Sequence, residues 1–365
     1  MPDDDHSAIS ASDAKRLFAE WKAMPALVLA ISGGPDSVAL MWLAARWRRA
    51  LIHGPRLVAV TVDHGLRAES AREAKEVRRL ARSLNVPHHI LRWTGAKPKT
   101  GLPAAARAAR YRLLAKAAQD HGATHILTAH TRDDQAETLL MRMLRGSGIA
   151  GLAAMARQTP RDGVVLARPF LNVSKGQLIA TLAKAKVEFA DDPTNRDTHF
   201  TRPRLRALMP ALAAEGGDAR NLARLASRLA RANAAVEVLT DGAERYLALR
   251  DIEAAGAGTR TDVSNSKISN SKISNFKMFD FEAFAAIPEE IRVRLLQRAI
   301  DRFGHEGPAE LGKVEALLAA LQQAGAKKPR ARGPKLKQTL AGALISLVDG
   351  RIRVEPAPPR RRRQD

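Results

Sequence analysis

The densest cluster of chemistry-bearing residues is Ser32-Gly33-Gly34-Pro35-Asp36-Ser37. Its glycines let backbone N–H groups approach an oxyanion closely, and Ser32 and Ser37 add hydroxyl donors. Asp36 is the odd member, because a carboxylate is repelled by a bound phosphate unless a Mg²⁺ bridges the two. In the second cluster, His130-Thr131-Arg132-Asp133-Asp134-Gln135-Ala136-Glu137-Thr138, the spacing puts several of the acids and His130 on one helix face. Asp134, with Asp133, is a candidate to help Asp36 hold the cation, and His130 to contact a phosphate or a reacting group. Asp63-His64-Gly65-Leu66-Arg67 is a candidate lining for a nucleotide pocket. Arg107 and Arg110, beside Tyr111, fall near one helix face, where an arginine can stabilise charge developing on phosphate. Arg145-Gly146-Ser147-Gly148 offers a further docking point for a phosphate.

Each cluster also has a plain reading. Gly33-Gly34-Pro35-Asp36 alone is a tight turn, Asp133 and Asp134 an ordinary acidic first turn, His130 a capping histidine, and Gly146 a helix stop. Position separates the readings. The apolar run 26–31 reads as a buried parallel strand leading into the 32–37 turn, and 38–44 as a helix with a wide apolar face. Further strands are expected at 57–62, 88–93 and 125–128, alternating with helices near 69–84, 105–119 and 132–144, after a leading helix at 10–21. Thr131 is the expected N-cap of the last of these, with Leu139, Leu140, Met143 and Leu144 facing the sheet. This alternation predicts an α/β fold on a doubly wound parallel sheet with right-handed crossovers. Ligands sit beyond the carboxyl ends of such strands, so the loops at Ser32, Asp63-His64, 93–100 and Ala129-His130 should open into one crevice.

Beyond this sheet, 146–200 reads as loop-rich, and from Pro210 the pattern shifts to Ala/Leu/Arg helices at 221–249 and 288–303. The expected division is a catalytic domain 1–210, a mostly helical domain 211–305 with an inserted loop at 256–278, and a small C-terminal region 306–365 with a basic tail. The inserted loop carries Ser264-Asn265-Ser266-Lys267-Ile268 and two further copies, too few and too short for a solenoid. Gly307-Pro308-Ala309-Glu310-Leu311-Gly312-Lys313 approaches a Walker A loop but lacks the following Ser/Thr and a leading strand, so it reads as a loop before a helix at 314–321.

The 60 Lys and Arg against 38 Asp and Glu leave a net charge of +22, which favours a polyanionic partner, nucleic acid ahead of a membrane surface. Aromatic content of 4% argues against a platform of stacked bases. The absence of cysteine excludes disulfides, thiolate metal sites and cysteine nucleophiles. No apolar run reaches the ~20 residues of a membrane span. The acidic start does not read as a signal peptide, and the expectation is a soluble, cytoplasmic protein with no membrane partner.

The 32–37 string resembles the PP-loop of the N-type ATP pyrophosphatases, which split ATP between the α- and β-phosphates, adenylate a substrate oxygen and release pyrophosphate. The ordered set is more specific. The strings at 32–37, 63–67 and 130–138, Ala106-Arg107-Ala108-Ala109-Arg110-Tyr111, Arg145-Gly146-Ser147-Gly148-Ile149-Ala150-Gly151-Leu152 and Asp192-Pro193-Thr194-Asn195-Arg196-Asp197 resemble the tRNA(Ile)-lysidine synthase family over residues 1–210. Lys337-Gln338-Thr339-Leu340-Ala341-Gly342-Ala343 is also similar. Two places depart. Pro203, in Arg202-Pro203-Arg204-Leu205-Arg206, stands where the family carries Asn, and Pro103-Ala104 lie where many members carry Glu.

The resemblance implies ATP- and Mg²⁺-dependent ligation of free L-lysine to C2 of the wobble cytidine of a CAU-anticodon isoleucine tRNA, through an adenylated tRNA. It assigns Ser32, Gly33, Gly34, Pro35, Asp36, Ser37, Asp63 and His64 to ATP, and Asp36 and Asp134 to the metal. Asp36, His130, Asp133, Asp134 and Arg110 would serve catalysis, and Arg145, Arg202, Arg204 and Arg206 would contact tRNA. Lysine must attack as the free amine, and the sequence does not choose its base among His130, Asp133 and Asp134. A homodimer is an expectation from the family alone. Among rivals, a tRNA-thiolating PP-loop enzyme typically uses a reactive cysteine or a cysteine-bound cluster, which this chain lacks. An amidating ligase would bring a glutaminase-like segment. A non-catalytic RNA-binding protein has no use for Ser32, Asp36, Ser37, Asp133 and Asp134 together.

Overall fold

The computed structural model of the chain describes residues 5–65, 70–95, 97–98, 100–190, 197, 199, 201–256, 276–326 and 336–358. Leu66 and Arg67, the stretch 192–196, the repeats at 264–275 and the tail 360–363 lie outside the described residues. The chain divides into two compact units, Met1–Ala230 and Arg231–Asp365.

The first unit opens with α1 (Ala11–Phe18), started by a Ser10–Asp13 capping box and extended by a 3₁₀ turn, Ala19–Trp21. Four βα steps follow: β1 (Ala26–Ala30) and α2 (Pro35–Arg49), β2 (Arg56–Asp63) and α3 (Ser70–Ser83), β3 (His88–Arg92) and α4 (Leu102–Asp120), β4 (His125–Leu127) and α5 (Arg132–Met143). The strands pair in parallel in the order β3-β2-β1-β4. Leu27 and Leu29 of β1 with Leu57 and Ala59 of β2 join one core with Phe18, Trp21, Trp47 and Phe170. Their neighbours Val28, Val58 and Val60 join a second core with Tyr111 and Leu114. Alternate residues thus feed opposite faces, and with both faces covered the strands read as unbroken apolar runs. Each fully buried aromatic of the first core contributes about 2–3 kcal/mol.

The segment expected to be loop-rich supplies more structure than its composition suggests. It holds α6 (Ile149–Leu152), β5 (Gln158–Arg161), β6 (Val164–Ala167) and α7 (Lys175–Ala185). β6 continues the sheet in parallel beside β4, and β5 closes the edge antiparallel, so the sheet is mixed. Two local signals explain this. Asp162 and Gly163 turn with φ of 51° and 77°, the paired positive values of a two-residue hairpin that Asp-Gly favours. Ser174 and Gln177 form a capping box that starts α7. Leu139 and Leu140 are buried as expected, but Met143 and Leu144 are 51% and 69% exposed, because the helix ends at Met143.

α8 (Thr201–Ala214) packs on α5, and α9 (Ala219–Gly256) follows. Pro203 is the third residue of α8, where a missing N–H has no partner within the helix to lose. Proline at the family's Asn position therefore leaves the helix intact.

In the second unit, α10 (Phe281–Ala285), α11 (Glu289–Phe303) and α12 (Leu311–Ala326) accompany a four-stranded antiparallel sheet. Its strands are β7 (Lys277–Asp280), β8 (Leu336–Leu340), β9 (Ala343–Val348) and β10 (Arg351–Pro356), in the order β7-β10-β9-β8. Ile345, Leu347, Ile352 and Val354 share a core with Leu296, Leu317 and Leu321. The expected division placed no strand in this region. Its hairpins again turn on paired positive φ, at Ala341-Gly342 (51° and 78°) and Asp349-Gly350 (48° and 72°). Among the described residues, no helix is long and apolar enough to cross a membrane.

Candidate active site

The carboxyl ends of β1, β2 and β4 open into a cavity of about 540 Å³. Ser32, Gly34, Pro35, Asp36 and Ser37 line it from the first loop, Asp63 and His64 from the second, Thr128, His130 and Asp134 from the fourth. Arg107, Arg110 and Tyr111 of α4 complete a wall, and Lys175, Arg202 and Arg206 reach in from α7 and α8.

The 32–37 loop organises itself. Ser37 Oγ accepts from the Ser32 and Gly33 N–H groups at 3.1 and 3.2 Å and donates to the Gly34 carbonyl at 3.0 Å. Gly33 has φ of 99°, open to glycine at little strain. Pro35 occupies the first turn of α2, so the positive end of that helix dipole faces the cavity. Burial pushes the Asp36 carboxyl up to about 6, with Lys175 opposing and Asp134 and Asp133 adding to the rise. Asp36 Oδ1 is buried without a hydrogen-bond partner, and Oδ2 lies 3.9 Å from Lys175 Nζ.

That orphaned oxygen fits a hard cation. Among the described residues, no group of three or more His, Cys, Asp or Glu forms a complete metal cage. Mg²⁺ needs none, since one or two carboxylates together with substrate phosphates suffice for it. Asp36 and Asp134 both line the cavity and supply that donor chemistry.

Asp134 Oδ2 accepts the Thr131 N–H at 2.8 Å, closing the capping box of α5, while Oδ1 lies 3.3 Å from Arg202. Asp133 is placed differently. It stands outside the cavity lining and accepts the backbone N–H of Lys175 at 2.8 Å, which ties α5 to α7. His130 Nδ1 lies 2.9 Å from Thr128 Oγ1, and burial lowers the ring to about 4, so it is neutral at physiological pH. Burial also lowers His64, whose Nδ1 has no partner and whose ring meets the Trp93 edge at 6.1 Å. Arg110, drawn down by burial with Tyr111 opposing, is stacked 5.3 Å from the Tyr111 ring.

The four arginines expected at tRNA separate into two pairs. Arg202 and Arg206 occupy one face of α8 and point into the cavity, Arg206 meeting the buried Glu137 at 2.5 Å. Arg145 and Arg204 are exposed and outside it, Arg204 donating to the His199 carbonyl at 2.9 Å. Burial raises the Glu137 carboxyl, against the pull of Arg206. Sequence reasoning quoted Glu137 without giving it a role and missed Lys175. The Ser174/Gln177 capping box was the available signal for a helix starting there.

A family described as a PP-loop domain matches residues 7–212, which includes every residue lining this cavity. The tRNA(Ile)-lysidine synthase of Bradyrhizobium diazoefficiens is 68% identical over 100% of this chain and 99% of its own. That of Rhodopseudomonas palustris is 62% identical over 100% and 99%. The chain belongs to the tRNA(Ile)-lysidine synthase family. Members of this family are enzymes, and the PP-loop domain is their ATP-binding part. A more distant relative, the synthase of Ruegeria pomeroyi, is 40% identical over 85% of this chain and 70% of its own. The U34-tRNA thiolase NcsA of Methanococcus maripaludis, 15% identical over 60% of this chain and 79% of its own with a TM-score of 0.52, shares the fold.

Proposed function

We propose that this enzyme of the tRNA(Ile)-lysidine synthase family joins free L-lysine to C2 of the wobble cytidine of a CAU-anticodon isoleucine tRNA, using ATP. Residues 1–210 carry the catalysis, and the helices of 211–305 hold the tRNA body through its phosphates. The observation that carries the reading is full-length identity of 68% to a relative of that name. The cavity supports it by gathering the phosphate loop, a buried unpartnered carboxylate oxygen and three inward-reaching cations.

ATP lies with its pyrophosphate end on the 32–37 loop and its nucleoside toward Asp63 and His64. Asp36, with Asp134, would hold Mg²⁺, which would screen charge on the leaving pyrophosphate. The wobble base, turned out of its loop, presents its C2 oxygen to the α-phosphate. Arg110 stabilises the charge that builds there. The ε-amine of lysine then attacks C2, AMP departs, and one amine proton must leave. His130, at about 4, is a weak base at neutral pH and better suited to orienting a reacting group as a neutral ring. Arg145 and Arg204, outside the cavity, contact tRNA phosphates.

The test is to incubate the protein with Mg·ATP, labelled lysine and bacterial tRNA while following pyrophosphate. The expected result is tRNA-dependent pyrophosphate release with label that is RNase-sensitive and survives mild alkaline deacylation. Pyrophosphate without label would discard lysine as the nucleophile.

A further inference from the structure

We infer that Lys175 is the cation that grips the leaving pyrophosphate, its ammonium donating to the β- and γ-phosphate oxygens on the 32–37 loop; this rests on the ATP reading above. Around Lys175, the carboxylates Asp36, Asp134 and Glu137 each face a cation. Asp134 meets Arg202 at 3.3 Å and Glu137 meets Arg206 at 2.5 Å, both through hydrogen bonds. Asp36 and Lys175 stand at 3.9 Å, beyond hydrogen-bond reach. Of the three cations that α7 and α8 send into the cavity, Lys175 is thus the least committed to its carboxylate, and its ammonium lies 3.9 Å from Asp36.

Its anchorage suits that role. The Lys175 backbone N–H is fixed by Asp133 Oδ2 at 2.8 Å, and Ser174 caps the helix that Lys175 begins. The Cα is therefore held, while a four-carbon stem, 37% exposed, can swing its ammonium a few ångströms from Asp36 toward the loop. A lysine binds phosphate as a point charge with three rotatable donors, which suits a leaving group that changes shape as it departs. As the bond between the α-phosphorus and the bridging oxygen breaks, its electron pair stays on that oxygen, and charge rises at the end Lys175 faces. Arg202 and Arg206 are held back by their own acids.

The test is calorimetric binding of Mg·pyrophosphate, Mg·ATP and AMP to the full-length wild type, Lys175→Met and Lys175→Arg, with unfolding midpoints confirming that each is folded. Lys175→Met should weaken pyrophosphate and ATP about tenfold or more, as loss of a charge-assisted contact does, and AMP less than about threefold. Lys175→Arg should keep pyrophosphate within about threefold of wild type, because the charge remains. Unchanged pyrophosphate affinity in Lys175→Met, or AMP weakened in parallel, would overturn the assignment. Should Lys175→Met not fold, a tenfold loss in Lys175→Arg would also overturn it. Wild type that binds neither nucleotide nor pyrophosphate would instead strike the ATP reading, and this inference with it.

Discussion

At one end of the cavity, Ser37 Oγ collects its hydrogen bonds from residues no more than five positions away. At the other, Arg202 and Arg206 reach Asp134 and Glu137 across 68 and 69 positions. The phosphate end is a local device: a glycine with positive φ, a hydroxyl and a helix start fold it as soon as α2 forms. The acid–arginine end exists only after α8 has docked on α5. The two ends also differ in charge. Glu137 is matched in place by a guanidinium, whereas Asp36 is buried with one oxygen unpartnered, an arrangement that serves a ligand more than it serves the fold.

The largest effect should come from Asp36→Asn, with pyrophosphate release falling about a hundred- to a thousandfold. Stability should move the other way. Burial lifts Asp36 from 3.8 to about 6, so the folded state binds that proton more tightly than the unfolded chain. The wild type carries the full penalty above the folded value and none below the unfolded one. The variant should therefore be more stable by up to about 3 kcal/mol near neutral pH, with the advantage gone by about pH 4. Paired thermal melts across that range check it. A variant less stable than wild type at neutral pH would mean Asp36 is structural.

Glu137→Gln should act in the opposite sense. It leaves Arg206 facing a neutral amide and should lower stability by about 2 kcal/mol, less than a fully buried pair costs because Arg206 is 36% exposed. Mg·pyrophosphate affinity should stay within about twofold, since the 32–37 loop does not depend on this pair. Affinity falling about tenfold or more would erase the distinction between the ends.

Ser37→Ala removes the hydroxyl around which the loop closes. About 1–2 kcal/mol of stability should go, with roughly tenfold in ATP affinity, read by chemical denaturation and calorimetry. Arg145→Ala should be the mildest change, since the residue is exposed and outside the cavity. ATP binding should be unchanged, while tRNA affinity falls slightly and its salt slope drops by about one. A salt slope identical to wild type would remove Arg145 from the tRNA contact.

This contrast also explains what the sequence disclosed. The βα order, the 32–37 loop and the Thr131 cap depend on contacts within a few residues, and spacing alone reveals such contacts. Arg202 and Arg206 were expected only as two of four tRNA contacts, and the string could not say that they turn inward to Asp134 and Glu137. Asp133 was a second candidate beside Asp134, but its place one residue earlier on the helix sends it to the Lys175 backbone. Lys175 itself lay in a stretch whose Pro, Gly and Asp content hid a hairpin and a helix. In the second unit, Asp349-Gly350 was a legible hairpin signal that the surrounding helical composition obscured. Met143 and Leu144 were assigned to the core by periodicity, which does not report where a helix ends.

The central claim is that ATP's pyrophosphate leaves from the 32–37 loop so that lysine can be joined to one base. The most direct measurement uses two transcripts of the CAU-anticodon isoleucine tRNA, identical except that one carries uridine at the wobble position. Both are incubated with enzyme, Mg·ATP and labelled lysine, digested to nucleosides and separated. The account predicts one labelled nucleoside from the cytidine transcript and none from the uridine transcript. Equal labelling of both, or label confined to the 3′ terminal adenosine, would contradict it.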